Sequence, residues 1–447
     1  MVDSRMIKQH ILNIYSKITK KSWETEYTEI KTLIDKEKLH KFQENALRNL
    51  LLHAYKNVPY YSRILKENQV IKNGNVDLSK FKNIPILTKE IIRNEKITSK
   101  EYSTRKWYYN TSGGSTGEPI SFIQDEQYER WFRASTDFYF KDMHGFDLGK
   151  AKQIQLWGDY EDLFQGKINL KEKIYNLLAN ILILNTLTLS EKNLNDYIKT
   201  INSYKPDLIL GYATSLYELS LYAEKRKLKL FTPKIVVSSA ELLRDDMRKK
   251  IENVFGMKIY NFYGSREVAS LAGECKDGLM HIFSFNNLIE ILDENNRPVK
   301  DGEEGKIIVT NLHNYSMPLI RYEIGDIAIL GPKICSCGNI TPSLKKVIGR
   351  ITDQFVREDG SKFSGLAFTL HFTKDWIKMF QVIQEDFKKI KILIVKKNNA
   401  NEADMKEIES KLRFLLGTDC KIEWNFVDHI PKTKRGKHMY ITSLVKS

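Results

Sequence analysis

The stretch TSGGSTGEP, Thr111 to Pro119, combines three glycines, four hydroxyl side chains, one carboxylate and a proline, with no apolar side chain. Glycines let a backbone approach a ligand closely with its N–H groups pointing inward, and serine and threonine hydroxyls add donors. The chemistry that fits this loop is the binding of a phosphate chain. It is not a Walker loop, because no Gly-Lys-Ser/Thr follows at the required spacing. A surface linker would have a similar composition, so the loop alone does not decide the function.

Five further motifs follow the loop along the chain. They are SSAELL (Ser238 to Leu243), YGSREV (Tyr263 to Val268), RYEIGD (Arg321 to Asp326), the pair Gly349-Arg350, and PKTKRGKHM (Pro431 to Met439). In this order, the six motifs resemble those of the acyl-adenylate-forming superfamily, which contains acyl-CoA synthetases and adenylation domains. Two earlier segments, NVPYYSRIL and IPILTKEIIR, are similar to the N-terminal region of phenylacetate–CoA ligase-like proteins. Relatives used in capsular polysaccharide biosynthesis share that region.

The resemblance implies an AMP-forming acid–thiol ligase. Such an enzyme would activate a carboxylic acid with ATP to an acyl-adenylate and then transfer the acyl group to coenzyme A, in the service of surface polysaccharide or secondary metabolite biosynthesis. One alternative is direct transfer to an amine, a hydroxyl or a carrier protein without coenzyme A. Another is a non-enzymatic, zinc-stabilised scaffold. The acid itself is left open by the sequence, although the resemblance makes an aromatic acid one candidate.

The resemblance also implies roles for individual residues. Phosphate binding falls to Thr111, Ser112, Gly113, Gly114, Ser115, Thr116 and Gly117, and adenine and ribose binding to Ser239, Ala240, Glu241, Tyr263, Gly264, Ser265, Asp326 and Arg350. Glu267 would coordinate Mg²⁺, a cation that prefers oxygen ligands. Lys437 would bridge the attacking carboxylate and the α-phosphate, and the candidates for the acid pocket are Trp157, Gly211, Tyr212 and Tyr260. Each of these residues, taken singly, also has an ordinary structural explanation.

Three positions depart from the pattern of the family. Glu118 stands where many such loops have lysine, and Arg266 inside YGSRE is unusual and could supply the charge that is then missing. At the hinge, Thr352 stands where an aspartate is common and Asp353 follows it. The sequence therefore leaves the pivot residue of the hinge open.

Two short cysteine-containing loops indicate a metal site. Cys275 and His281 lie six residues apart, and Cys335 and Cys337 form a C-S-C pair. Both pairs fall in polar, glycine-containing segments, where a buried apolar cysteine is not expected. Three thiolates and one imidazole form a closed tetrahedral set of the kind that holds structural zinc. The alternative is three ordinary reduced cysteines and a surface histidine.

The elements that must position these residues form an α/β, multi-domain protein. Residues 1–105 read as a helical region of a large domain, and residues 106–350 alternate short apolar strands with amphipathic helices, as α/β layers do. After Phe285 the strands come closer together and predict a β-rich subdomain. Residues 351–447 predict a small C-terminal domain with a strand, a helix and a strand. The resemblance implies that this small domain is a mobile lid that carries Lys437.

Composition limits the partners. The chain of 447 residues has a formal net charge of +15, which favours anionic partners such as ATP, coenzyme A or an acidic carrier. The basic residues form no long block, so nucleic acid is not an expected partner. The most apolar stretch, Ile174 to Leu189, is shorter than the roughly 20 residues of a membrane span, and the N-terminus lacks a signal-peptide pattern. We therefore expect a cytoplasmic protein, and a homodimer is one alternative for its oligomeric state.

Overall fold

The computed structural model of the protein describes residues 22–33, 35–111, 120–157, 176–186, 191–350, 354–358, 362–364, 370–372, 374–431 and 439–445. Arg350 is described by its backbone alone. Two groups of predicted site residues, Ser112 to Gly117 and Lys437, lie outside the described residues, and so do Glu118 and Thr352.

The N-terminal region is built from helices, as its apolar spacing predicts. Helices α1 to α4 span Glu24–Thr32, Lys36–Asn57, Pro59–Glu67 and Lys89–Asn94. Strands β1 (Ile71–Lys72) and β2 (Asn75–Val76) pair as a two-stranded antiparallel ribbon. The apolar face of α2 is buried at Leu47, Leu50, Leu51 and Ala54. This helix ends before Pro59, as predicted, and Pro59 then starts α3, because the first position of a helix does not need the N–H that proline lacks. Helices α2 to α4 pack on the β-rich end of the central sheet described below, and Ile30 of α1 packs in a separate cluster with Trp131 and Phe140.

A hairpin and a long helix follow. Strands β3 (Trp107–Thr111) and β4 (Ser121–Asp125) pair in antiparallel fashion, with Thr111 opposite Ser121. The predicted phosphate loop is therefore the connection of this hairpin. Helix α5 (Glu126–Asp137) starts directly after β4, with the Asp125 carboxylate accepting the backbone N–H of Tyr128, and a π-helical turn, Phe138–Met143, extends it.

One sheet of eleven strands forms the centre of the protein. Its strands are β5 (Gln153–Trp157), β6 (Ile181–Asn185), β7 (Leu208–Tyr212), β8 (Ile235–Ser239), β9 (Ile259–Ser265), β10 (Ala269–Glu274), β11 (Met280–Ile282), β12 (Asn287–Leu292), β13 (Glu304–Asn311), β14 (Tyr322–Leu330) and β15 (Ser343–Arg350). Their spatial order is β12-β13-β14-β15-β11-β10-β9-β8-β7-β5-β6. The pairs within β5 to β9 are parallel, and the remaining pairs are antiparallel.

The predicted β-rich region after Phe285 is present, but its strands do not form a separate sheet. Short strand β11 pairs with β10 on one side and with β15 on the other. It therefore joins the four strands β12 to β15 to the parallel half. Helices α6 (Glu191–Tyr204), α7 (Ala213–Lys225) and α8 (Asp245–Phe255) cover one face of that parallel half with a buried apolar cluster.

The C-terminal unit has its own core. A four-stranded sheet has the order β20-β19-β18-β21, with β18 (Ile377–Asp386), β19 (Lys389–Lys396), β20 (Lys421–Phe426) and β21 (Ile441–Ser443), and β16 (Gln354–Val356) pairs with β17 (Lys362–Ser364). Helix α9 (Glu402–Leu416) buries Ile408, Leu412 and Leu416 against this sheet and ends before Gly417, as predicted. Among the residues that the structure describes, no helix combines the length and apolar character needed to cross a bilayer.

Candidate functional site

The SSAELL motif lies at the carboxyl edge of the parallel strands. Ser239 is the last residue of β8 and lies between Tyr212 of β7 and Phe262 of β9 in the sheet register. Its hydroxyl donates to the carbonyl of Phe262 at 2.8 Å. Ala240 then takes a left-handed conformation with a φ of 65°, which turns the chain out of the sheet. Ligands of open α/β sheets bind at this edge, so the position agrees with the nucleotide role expected for this segment.

Glu241 organises the same turn through a helix terminus. One of its carboxylate oxygens, Oε2, accepts the backbone N–H of Thr214 at 2.9 Å and the Thr214 hydroxyl at 2.7 Å. Thr214 lies in the first turn of α7, where free N–H groups and the helix dipole favour a negative charge. The Glu241 carboxylate therefore ties the motif to α7, a contact that the sequence did not predict.

The YGSREV and RYEIGD motifs meet through a side-chain hydrogen bond. The hydroxyl of Tyr263 on β9 donates to Oδ2 of Asp326 on β14 at 2.7 Å. Asp326 is also the register partner of Arg350 on β15, so three of the predicted motifs share one region of the sheet. Gly264 is required here, because a Cβ at this position would lie 2.6 Å from the carbonyl oxygen of Ala269.

Glu267 lies in the tight connection between β9 and β10. This turn is held from outside by Gln124 Nε2 and the Tyr128 hydroxyl, which both donate to the Arg266 carbonyl, at 2.6 and 3.0 Å. Glu267 is itself buried, with 8% of its surface exposed. Gln124 and Tyr128 belong to the hairpin and helix that follow the predicted phosphate loop. They position the turn that bears Glu267, and sequence reasoning missed both.

The four candidates for the acid pocket are only partly brought together. The rings of Trp157 and Tyr212 stack with centroids 4.2 Å apart at the ends of β5 and β7. Gly211 serves packing, since a Cβ there would lie 2.9 Å from the Leu156 Cβ. Tyr260 lies further back on β9, where its ring contacts His144 at a centroid distance of 4.4 Å. The stacked pair is therefore the part of the predicted pocket that the structure assembles.

The predicted cysteine and histidine ligands converge on one point. Cys275 directly follows β10, His281 lies in β11, and Cys335 and Cys337 lie in the loop between β14 and β15. The four potential ligand atoms all lie within 4.8 Å of one another. The Sγ atoms of Cys275 and Cys335 are 3.7 Å apart, and a tetrahedral zinc with bonds of about 2.3 Å to sulfur would set this separation at about 3.8 Å. The residues present therefore fit a closed zinc site.

The surroundings of His281 and Cys275 favour a cation at this point. His281 Nδ1 donates to the carbonyl of Thr341 at 3.1 Å. Nε2 is then the nitrogen that can bind a metal, and it lies within hydrogen-bond distance of the Cys337 Sγ, at 3.2 Å. A backbone carbonyl in this role commonly orients a metal-bound histidine. Burial raises the pKa of the Cys275 thiol, but hydrogen bonds from His281 and from the backbone outweigh it and lower that pKa to about 6. Burial instead raises the pKa of Cys337 to about 12, so this thiol alone does not favour a cation.

Comparisons with known proteins agree with this architecture. The family described as the CapK C-terminal domain matches residues 355–443. Protein CapK of Staphylococcus aureus is 28% identical over 430 residues, which cover 94% of this chain and 92% of that protein. The phenylacetate-coenzyme A ligase of Thermus thermophilus is 25% identical over 345 residues, or 73% of this chain and 74% of the ligase.

Solved structures of 2-hydroxyisobutyryl-CoA ligase share the fold. The postadenylation form with 2-HIB-AMP gives a TM-score of 0.69 at 16% identity, covering 91% of this chain and 90% of the ligase. The thioesterification form of the same enzyme, with 2-HIB-AMP and CoA, covers the same shares with a TM-score of 0.58 at 17% identity. The two forms therefore differ in how well this chain superposes on them.

Fold and relatives together indicate one class of protein. The chain has the acyl-adenylate-forming fold, which it shares with solved acyl-CoA ligases. Within that class it is similar to the branch that contains protein CapK and the phenylacetate–CoA ligases, as its motifs predict.

Proposed function

We propose that the protein activates a carboxylic acid with ATP and transfers the acyl group to coenzyme A. The observation that carries this proposal is the hydrogen bond from Tyr263 to Asp326. It joins two motifs to which the resemblance assigns nucleotide binding, and the sheet register puts Tyr263 next to the turn at Ala240. In the first half-reaction a carboxylate oxygen of the acid attacks the α-phosphorus of ATP, and pyrophosphate leaves. In the second, the coenzyme A thiolate attacks the acyl carbon and AMP leaves.

The proposal assigns this chain's residues to charge neutralisation and positioning, because both reactants of the first step are anions. Thr111 and the loop that follows it would hold the phosphates, and Asp326 would accept hydrogen bonds from the ribose hydroxyls. Lys437 would lie between the acid and the α-phosphate as a mobile point charge. Glu267 would hold Mg²⁺, which supplies charge compensation for the phosphates.

The acid we place first is an aromatic one. The stacked rings of Trp157 and Tyr212 at the carboxyl edge of the sheet support this choice, since aromatic side chains favour flat apolar ligands. We further propose that the product serves surface polysaccharide or secondary metabolite biosynthesis. The similarity of most of the chain to protein CapK supports that setting.

We also propose that Cys275, His281, Cys335 and Cys337 hold one structural Zn²⁺. The convergence of all four ligand atoms supports the proposal. With no open coordination position, the metal would join the β10–β11 hairpin to the loop between β14 and β15. It would take no part in acyl transfer.

Dependence of the product on coenzyme A tests the proposal against its main alternative. The enzyme is incubated with ATP, Mg²⁺ and a panel of aryl, fatty, hydroxy and amino acids, with and without coenzyme A, and products are identified by mass spectrometry. We expect an acyl-adenylate without coenzyme A and an acyl-CoA with it. Direct transfer would be favoured if coenzyme A did not consume the acyl-adenylate but an amine, a hydroxyl compound or a carrier protein did. No acyl-adenylate with any acid would favour the scaffold alternative.

A further inference from the structure

Arg244 connects the nucleotide motif to the C-terminal unit. It follows SSAELL directly and is the residue immediately before α8. Its guanidinium forms a two-pronged bond with Asp246, with Nε to Oδ1 at 2.9 Å and Nη2 to Oδ2 at 2.6 Å. The Arg244 side chain is only 11% exposed. The carboxylate therefore fixes the plane of a buried cation whose position is set by the large unit.

The Arg244 guanidinium also lies over two aromatic rings of the C-terminal unit. Its central carbon lies 4.7 Å from the ring centre of Tyr440 and 5.4 Å from that of Phe380. The Tyr440 hydroxyl also donates to the sulfur of Met247 on α8 at 3.6 Å. Contacts between a cation and an aromatic ring strengthen when water is excluded, and Phe380 and Met247 are both buried.

A second charged contact reinforces this arrangement. Lys378 of β18 pairs with Glu218 of α7 at 3.1 Å, and the Glu218 side chain is 13% exposed. The face of the large unit formed by α7 and the start of α8 thus contacts β18 and Tyr440 at two separate points.

Tyr440 is a rigid part of the C-terminal sheet. Its carbonyl accepts the backbone N–H of Val382 on β18 at 2.8 Å, and β21 begins at the next residue. Lys437 precedes Tyr440 by three residues in the sequence. Three residues of extended chain span at most about 11 Å, so whatever holds Tyr440 also limits how far Lys437 can reach.

We propose that Arg244 is a positioning residue for adenylation: through its contacts with Tyr440 and Phe380 it holds the C-terminal unit against α7 and α8 in the arrangement of this structure. The inference rests on the proposed function. 2-Hydroxyisobutyryl-CoA ligase has been solved in separate postadenylation and thioesterification states, and this chain superposes better on the first. The contact of Arg244 with Tyr440 and Phe380 therefore favours the first half-reaction and must open for the second.

The test separates the two half-reactions. Arg244→Gln removes the cation, Arg244→Lys keeps a charge but loses the planar, two-pronged contact, and Tyr440→Ala removes the ring. Arg226→Gln is the matched control, because Arg226 also pairs with a carboxylate, Glu191, and lies over a ring, Tyr222, but all three belong to the large unit. Adenylation is measured as ATP–pyrophosphate exchange, and thioester formation from acyl-adenylate supplied with coenzyme A.

We expect Arg244→Gln and Tyr440→Ala to reduce the exchange rate at least 10-fold and leave thioester formation unchanged or faster, with Arg244→Lys intermediate and the control like the parent. Small-angle X-ray scattering should give a larger radius of gyration for Arg244→Gln than for the parent. If Arg244→Gln lost both half-reactions equally, or kept the parent's exchange rate and radius of gyration, the positioning role of Arg244 would be wrong. The proposed function would not be affected by either result. Absence of exchange in the parent with every acid would overturn the proposed function, and the positioning role with it.

Discussion

The hydroxyl of Tyr263 donates to the carboxylate of Asp326 at 2.7 Å, across strands that lie far apart in the order of the sheet. This bond orients the carboxylate that we assign to the ribose hydroxyls. The bond also links β9 to β14. Strand β9 leads into the turn that contains Glu267, and β14 pairs with β15, the strand that ends at Arg350. Nucleotide binding should therefore depend on the Tyr263 hydroxyl through its bond to Asp326, even if that hydroxyl does not contact the nucleotide.

Replacing Tyr263 with phenylalanine tests this dependence. Tyr263→Phe keeps the ring but removes the donor, and a hydrogen bond to a charged group contributes about 1.5–3 kcal/mol. We expect the KM for ATP to rise about 10-fold or more in a pyrophosphate-exchange assay, since 1.4 kcal/mol corresponds to a factor of 10. Tyr109→Phe, at a site on β3 that is 65% exposed, is the control. A KM for ATP equal to that of the parent would show that the bond does not serve the nucleotide.

Metal content tests the predicted zinc site. Protein purified from zinc-containing medium without chelators should contain one zinc per chain by elemental mass spectrometry. Cys337→Ser should lose the metal and on the order of 3 kcal/mol of stability, because the loss of a metal ranks among the large single-site effects. Cys420→Ser, in the C-terminal core, should keep its zinc. Parent protein that carries no zinc, even after zinc is supplied, would contradict the assignment.

The buried histidine His313 should make stability fall in mild acid. Its ring stacks on Trp131 with centroids 3.9 Å apart, and Nε2 donates to the carbonyl of Phe285. Burial lowers the pKa of His313 to about 3, so the unfolded chain binds a proton between roughly pH 6.5 and 3 that the folded chain excludes. Stability contributed by the neutral ring is complete above pH 6.5 and declines below it.

This contribution can be measured from the pH dependence of unfolding. Between pH 6.5 and 5 we expect His313 to account for about 1.5 kcal/mol of lost unfolding free energy. Chemical denaturation of the parent and of His313→Phe at both pH values isolates this part, because the variant keeps a stacking ring but cannot be protonated. If both proteins lost the same unfolding free energy, the assignment of a depressed pKa to His313 would be wrong.

The sequence predicts the parts of this protein that depend on local pattern. Four features could be predicted in this way: the apolar spacing of α2, the strand motifs, Gly417 beyond α9, and the fold that the ordered motifs imply. The meeting of Cys275 and His281 with Cys335 and Cys337 could also be predicted, because their polar loops offered no other reason for cysteine.

Contacts set by tertiary packing were out of reach. The bonds from Gln124 and Tyr128 to the Arg266 carbonyl join positions about 140 residues apart, and no local signal marks them. The contact between Arg244 and Tyr440 likewise joins residues far apart in the sequence and has no local signal. Pairing of the three-residue strand β11 with β15 brings the predicted β-rich region into the same sheet as the parallel strands. Tyr260 contacts His144 because its place on β9 is fixed by register with Val237.

The measurement that most directly tests the account is ATP–pyrophosphate exchange by the parent and by Lys437→Ala, across the acid panel, with Lys434→Ala as the matched lysine control. Adenylation by this site predicts exchange with at least one acid, lost in Lys437→Ala by about 100-fold or more, as removal of one transition-state charge contact does, and kept in Lys434→Ala. Exchange that survives in Lys437→Ala, or no exchange in the parent despite measurable ATP binding, would contradict it.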